Sequence, residues 1–202
     1  MKLFYSATSP YVRKVMVVAY ETGQADGIEK HGAAANPVKR DASVVAKNPT
    51  GKVPTMVLDD GSALFDSRVI CQYLDAQHGG DRLYAEEGPE RWRILRLEAI
   101  ADGLLDAALL ARYEIALRPE DKRWPDWLNG QMDKVNSSLD AMQNEVSGRK
   151  GVDAGLIAAG CALGYLDFRY GDLGWRNKRP ALAAWYEAFS QRPSMQATVP
   201  AG

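Results

Sequence analysis

The apolar positions change rhythm near residue 80. Before it, short runs rich in Val, Ile, Phe and Tyr alternate with helix-period stretches and turn residues, a texture that predicts an α/β unit. Beyond residue 89 the apolar positions follow the helical period and no strand signal occurs. In the first part, 3–5 reads as a strand and 11–21 as a helix with Val12, Val15, Met16 and Ala19 on one face, stopped by Gly23. A strand at 28–31 and a short helix at 41–47 follow. The runs 55–58 and 63–65 flank Asp59-Asp60-Gly61-Ser62, whose chemistry suits a tight hairpin. Asp66 or Ser67 then caps a helix that reaches residue 77. The predicted order is βαβαββα.

The second part predicts a long helix over 89–117 and further helices at 124–146, 153–168 and 181–191. Pro119, Pro193 and the glycines within 148–151 and 171–174 separate or close them. The stretch 154–166 is apolar nearly all round, which predicts a helix at the centre of its domain. The 202 residues thus divide into an α/β domain over 1–79, a linker over 80–88 and an all-helical domain over 89–202.

Composition narrows the partners. With 25 basic and 26 acidic residues the net charge is -1, which argues against nucleic acid or an anionic membrane surface as a partner. No uncharged run approaches the roughly 20 residues that span a bilayer, and residues 1–6 fall short of the roughly 7 to 15 apolar residues of a secretory signal. A cytoplasmic protein without a membrane partner is expected. Cys71 and Cys161 lack CxxC spacing and read as buried thiols in a reducing compartment. His31 and His78, unaccompanied by metal-ligand spacing, read as surface residues, so no metal is expected. Trp124, Trp127, Trp175 and Trp185 read as core anchors of the helical domain.

Three local features carry candidate chemistry. Ser9-Pro10 pairs a preferred N-cap with a preferred first helical residue, so unpaired backbone N–H groups and a positive dipole end face whatever sits before the helix. Asn48 to Thr55, NPTGKVPT, is turn-rich and runs into a strand; a cis bond at Val53-Pro54 turns the valine's N–H and C=O outward, where an extended peptide can pair with them. Asp66-Ser67 sets a carboxylate, a hydroxyl and helix N-terminal N–H groups together, a combination able to hold an amino acid's charged end. Helix capping and turn formation explain each feature taken singly. Together they suit a small thiol peptide.

Ser9-Pro10-Tyr11-Val12-Arg13-Lys14-Val15, then Asn48 to Pro54, then Asp66-Ser67-Arg68-Val69-Ile70 resemble the N-terminal domain of soluble glutathione transferases, with the N-P-x-G-x-V-P and [ED]-S-x-x-I elements in order. Asp153, the run from Cys161 to Arg169, Trp175-Arg176 and Pro180 to Trp185 extend the resemblance into the helical part, toward a bacterial serine-type, theta- or zeta-like branch. The resemblance implies a thioredoxin-like domain followed by an all-helical domain, a homodimer, and detoxification by transfer of glutathione to a small hydrophobic electrophile. It makes Ser9 the hydroxyl that stabilises the glutathione thiolate, with Tyr5 and Thr8 as rivals. Val53, preceding Pro54, pairs with the cysteinyl backbone, Asp66 and Ser67 hold the γ-glutamyl end, and Lys52 with Lys39 meets the glycyl carboxylate. Asp102 lies where some relatives reach across to the partner's ligand. Ala7, Tyr11, Leu105, Leu109, Arg112 and Tyr113 are candidate walls for the second substrate.

Departures from the family pattern also matter. Serine at 9 and proline at 10 stand where thiol-exchanging classes carry cysteine, and Lys150 stands where a Ser or Thr usually completes the capping box of the central helix. On the same scaffold relatives act as peroxidases, isomerases or dehalogenases, or serve as non-catalytic binding or regulatory modules. For the transferase, ionising a thiol of pKa about 8.5 at neutral pH by a two-unit shift takes roughly 2.7 kcal/mol. A charge-assisted hydrogen bond and a helix N-terminus together reach that magnitude.

Overall fold

The computed structural model describes residues 1–201. It separates into two compact units, one of Met1–Glu86 together with the segment from Arg192 onward, the other of Glu87–Gln191.

The first unit holds a four-stranded mixed sheet of β1 (Lys2–Tyr5), β2 (Glu29–Gly32), β3 (Thr55–Val57) and β4 (Ala63–Leu64), in the order β2-β1-β3-β4. Helices α1 (Pro10–Glu21), α2 (Ala42–Val45) and α3 (Ser67–Ala76) complete the βαβαββα thioredoxin-like pattern. β1 pairs with β2 in parallel and with β3 antiparallel, setting Phe4 opposite Thr55. Helices α1 and α3 pack together, and α3 also meets β3. Leu3, Met56, Val15, Val18, Ile70 and Leu74 are fully buried. Each such side chain contributes about 1.5–3 kcal/mol by leaving water.

The second unit is helical: α4 (Gly88–Ala116), α5 (Pro125–Val146), α6 (Ala154–Arg169) and α7 (Pro180–Ser190). As its composition predicts, α6 is buried continuously from Ala154 to Leu166 and packs against α4. A Cβ at Gly155 would lie 2.7 Å from the Ile94 carbonyl oxygen, so glycine permits this close approach. Asp153 caps α6 by accepting from the Leu156 N–H at 2.9 Å, and where the capping-box hydroxyl is missing Arg149 donates to the other Asp153 oxygen at 2.6 Å. Burial raises the Asp153 pKa above its ordinary value despite these partners.

Three expectations change. The segment after α7, assigned from sequence to the helical domain, forms α8 (Pro193–Gln196) and packs on α1 of the first unit. Arg192 donates to both oxygens of Glu21 at 2.9 and 2.8 Å, Ser194 donates to the same carboxylate at 2.5 Å, and Arg13 donates to the Met195 carbonyl at 3.1 Å. Trp124 is 61 % exposed, because it N-caps α5 with its backbone N–H committed to Glu114 while its ring stays outside. His78 is no surface residue: its ring packs on buried Asp75, 3.2 Å away, whereas His31 is exposed and edge-on to Phe4.

Candidate functional site

Register places all three sequence features at one end of the sheet. β1 runs toward Tyr5 and leads through residues 6–9 into α1. β3 starts at Thr55, opposite Phe4, so the preceding Val53-Pro54 lies beside the exit of β1. β4 pairs Leu64 with Met56, which brings Phe65-Asp66 back toward the same end before α3 begins. Ligands of open α/β sheets gather at such strand ends.

Ser9 is the N-cap of α1 and its hydroxyl accepts from the Val12 N–H at 3.3 Å. A serine hydroxyl has one proton and two lone pairs, so accepting here leaves its proton available to a ligand. Thr8, in contrast, shares a hydroxyl contact with Ser6 at 3.3 Å. Tyr5 ends β1 with the Lys30 ammonium 5.3 Å from its ring centroid.

The Val53-Pro54 bond is cis, and Phe65-Asp66 is cis as well. Among the described residues the Val53 backbone N–H and C=O make no hydrogen bond. Buried Asn48 holds this edge in shape: its side-chain amide donates to the Lys52 carbonyl at 3.1 Å and to the Thr55 hydroxyl at 2.9 Å, and its oxygen accepts from the Thr50 N–H at 3.0 Å. Arg40 braces the turn from outside by donating to the Pro49 carbonyl at 2.5 Å. Gly51 has φ +67°, and a Cβ there would meet the Arg40 guanidinium at 3.0 Å, so any other residue would be strained and would push that guanidinium aside. Sequence reasoning missed Arg40, which carries no local signal; Asn48 was visible only as part of a motif. Lys52 is exposed directly before Val53, and Lys39 is exposed in the loop between β2 and α2.

At α3, Asp66 caps through one oxygen, which accepts from the Arg68 N–H at 3.0 Å. Ser67 is only 3 % exposed, yet its hydroxyl has no hydrogen-bond partner among the described residues. Its proton and lone pairs are therefore uncommitted.

The remaining predicted residues divide between the two units. Ala7 and Tyr11 belong to the first unit. Leu105, Leu109, Arg112 and Tyr113 form one stripe of α4 in the second, where burial pushes up the Tyr113 pKa. Asp102, expected to reach a neighbouring subunit, is 2 % exposed within its own chain. A shallow cavity of about 370 Å³ occurs at the far end of the sheet, lined by Met1, Lys2, Glu29 and Asp59 among others. Its Met1–Asp59 and Lys2–Glu29 charges pair with each other at 3.0 and 3.2 Å, and it takes no part in the sheet-end cluster. No group of three or more His, Cys, Asp or Glu side chains among the described residues is placed to hold a metal. Among the described residues no helix is long and apolar enough to cross a membrane.

Family comparison gives this cluster its context. Residues 3–82 match the glutathione S-transferase N-terminal domain and residues 125–188 the C-terminal domain. A glutathione transferase family member from Pseudomonas fluorescens Pf-5, solved with bound glutathione, is 48% identical, with a TM-score of 0.95 and coverage of 100% of this chain and 99% of that one. The chain belongs to the glutathione transferase family. A second structure from Pseudomonas fluorescens Pf-5, with bound S-(propanoic acid)-glutathione, is 47% identical with a TM-score of 0.90 and full coverage of both chains. Among curated proteins, this glutathione transferase family member is 36% identical to the uncharacterized GST-like protein YibF of Escherichia coli (strain K12), over 99% of this chain and 98% of that one.

Proposed function

We propose that this chain is a serine-type, cytoplasmic glutathione transferase that binds glutathione along the sheet end and directs its thiolate at a small electrophile. The observation that carries this reading is the convergence there of three uncommitted groups: the Ser9 proton, the Val53 backbone pair and the Ser67 hydroxyl. The glutathione and S-(propanoic acid)-glutathione held by relatives of nearly half-identical sequence support it, the second being a thioether product of a transfer to glutathione sulfur.

In this mechanism the cysteinyl backbone pairs with Val53 as an added strand. The α-ammonium of the γ-glutamyl end meets Asp66, and its carboxylate meets the Ser67 hydroxyl and the free N–H groups of α3. The glycyl carboxylate takes Lys52, with Lys39 as a second cation. This leaves the sulfur before the N-terminus of α1, where the Ser9 hydroxyl donates to it and the helix end favours its charge. The thiolate then attacks the electrophile, forming an S–C bond as the displaced electron pair leaves with a departing group or moves to an adjacent atom that takes a proton.

The test is isothermal calorimetry with glutathione followed by a glutathione-consumption screen over aryl halides, unsaturated carbonyl compounds and hydroperoxides. Micromolar to millimolar binding with consumption of an aryl halide or unsaturated carbonyl compound is expected. Binding without consumption would assign the chain to the non-catalytic modules of the family. Consumption of hydroperoxides alone would make it a peroxidase.

A further inference from the structure

The turn that leads into Val53 is held by two side chains. Asn48 works from within, its amide bonded to Thr50, Lys52 and Thr55. From outside 48–55, Arg40 is the one side chain among the described residues that bonds to residues 49–54, donating to the Pro49 carbonyl at 2.5 Å. The same guanidinium lies across Gly51, its Nε and Nη2 each 3.0 Å from where a Cβ would stand, with a Val45 methyl 3.3 Å from that point.

Arg40 stands on a fixed backbone. It forms a β-bridge with Ala35, and its neighbour Asp41 caps α2 by accepting from the Ser43 N–H at 2.9 Å while also accepting from the Ala34 N–H at 3.3 Å. No carboxylate lies within ion-pair distance of Arg40 among the described residues, so nothing competes with the Pro49 carbonyl for its charge. Gly51, with φ +67°, is the most pliable point between Pro49 and Val53. A planar guanidinium that bonds on one side of that point and packs over it fixes the turn. A lysine ammonium can make the bond but not the flat cover.

We infer that Arg40 is a positioning residue for the cysteinyl segment of glutathione, acting through the Pro49 carbonyl on the Val53 edge without touching the ligand. The inference rests on the glutathione-binding reading above. An added strand needs the Val53 N–H and C=O in one orientation, and an edge left loose must be ordered at the moment of binding. Arg40 orders it beforehand. Its contribution therefore falls on the affinity for the peptide backbone. The glycyl carboxylate and the sulfur keep their own partners.

Calorimetry on the full chain tests it with glutathione and its glycyl carboxamide, which keeps the cysteinyl backbone and lacks the glycyl charge. Arg40→Gln is expected to weaken both ligands by the same factor, about three- to tenfold, the worth of one hydrogen bond. Arg40→Lys should recover part of that loss. Saturated with glutathione, Arg40→Gln should show a thiolate absorbance that titrates with pH as in the parent, a readout that a contact with the sulfur would move. If Arg40→Gln melts far below the parent, the same comparison of acid and carboxamide in Arg40→Lys decides. Unchanged affinity, a loss confined to the acid, or a shifted thiol titration overturns this inference and leaves the glutathione-binding reading standing. Failure of the parent to bind either ligand overturns both.

Discussion

Ser9 has one observed job and one proposed job, which a single substitution confuses. Its hydroxyl caps α1 through Val12, and a cap is worth typically about 1 kcal/mol. As a donor to sulfur it should instead move the pKa of bound glutathione. Glycine caps within a few tenths of a kcal/mol of serine but has no hydroxyl, so Ser9→Gly separates the roles. The thiolate absorbance of the glutathione complex, followed against pH, is expected to shift upward in both Ser9→Ala and Ser9→Gly and to stay put in Tyr5→Phe and Thr8→Ala. A Ser9→Gly complex that titrates like the parent returns Ser9 to a plain helix cap. Ser9, Val53-Pro54 and Asp66-Ser67 were legible in the sequence because caps and X-Pro turns are written in adjacent residues. Arg40 was not, because its partner, the Pro49 carbonyl, is brought near only by the folded turn.

Elements were legible to within one or two residues at most ends, as local stop and start signals allow. The exception is α8, since Pro193 reads as a terminator when in fact it begins a helix at its preferred first position. The error hid the contact between α8 and α1. That contact has a definite pH dependence. The hydrogen bond from Arg192, and to a lesser extent that from Ser194, holds the Glu21 pKa below its ordinary value of 4.5 against the opposing effect of burial. A carboxylate depressed in the folded state lends stability that is complete above its unfolded pKa and is lost as pH falls through the folded one. Amide protection over 195–197 is therefore expected to hold at neutral pH and to fall away below pH 4.5 in hydrogen-exchange measurements. Glu21→Gln should weaken it at neutral pH and remove the acid step. An acid step that persists in Glu21→Gln would assign it to another group.

The molecule as a whole separates into a sheet-bearing unit and a helical unit. Self-association is the property least visible in one chain. The outward faces carry large apolar side chains, Val69 on α3 at 45% exposure and Trp92 on α4 at 67%, of the kind that mark association surfaces. Arg96, also on α4, is bound to Glu145 at 2.5 Å within its own chain. Light scattering at micromolar concentration is expected to give twice 22.2 kDa. A mass of 22.2 kDa would exclude the dimer, and Trp92→Ser should weaken it measurably by dilution. The stitching of Arg192, Ser194 and Met195 to α1 also bears on synthesis. A ribosome releases the chain in order, so α1 emerges early but waits for these last partners until all of Glu87–Gln191 has been made. The helical unit has its whole sequence before the sheet-bearing one does, which reverses the usual order of co-translational domain completion.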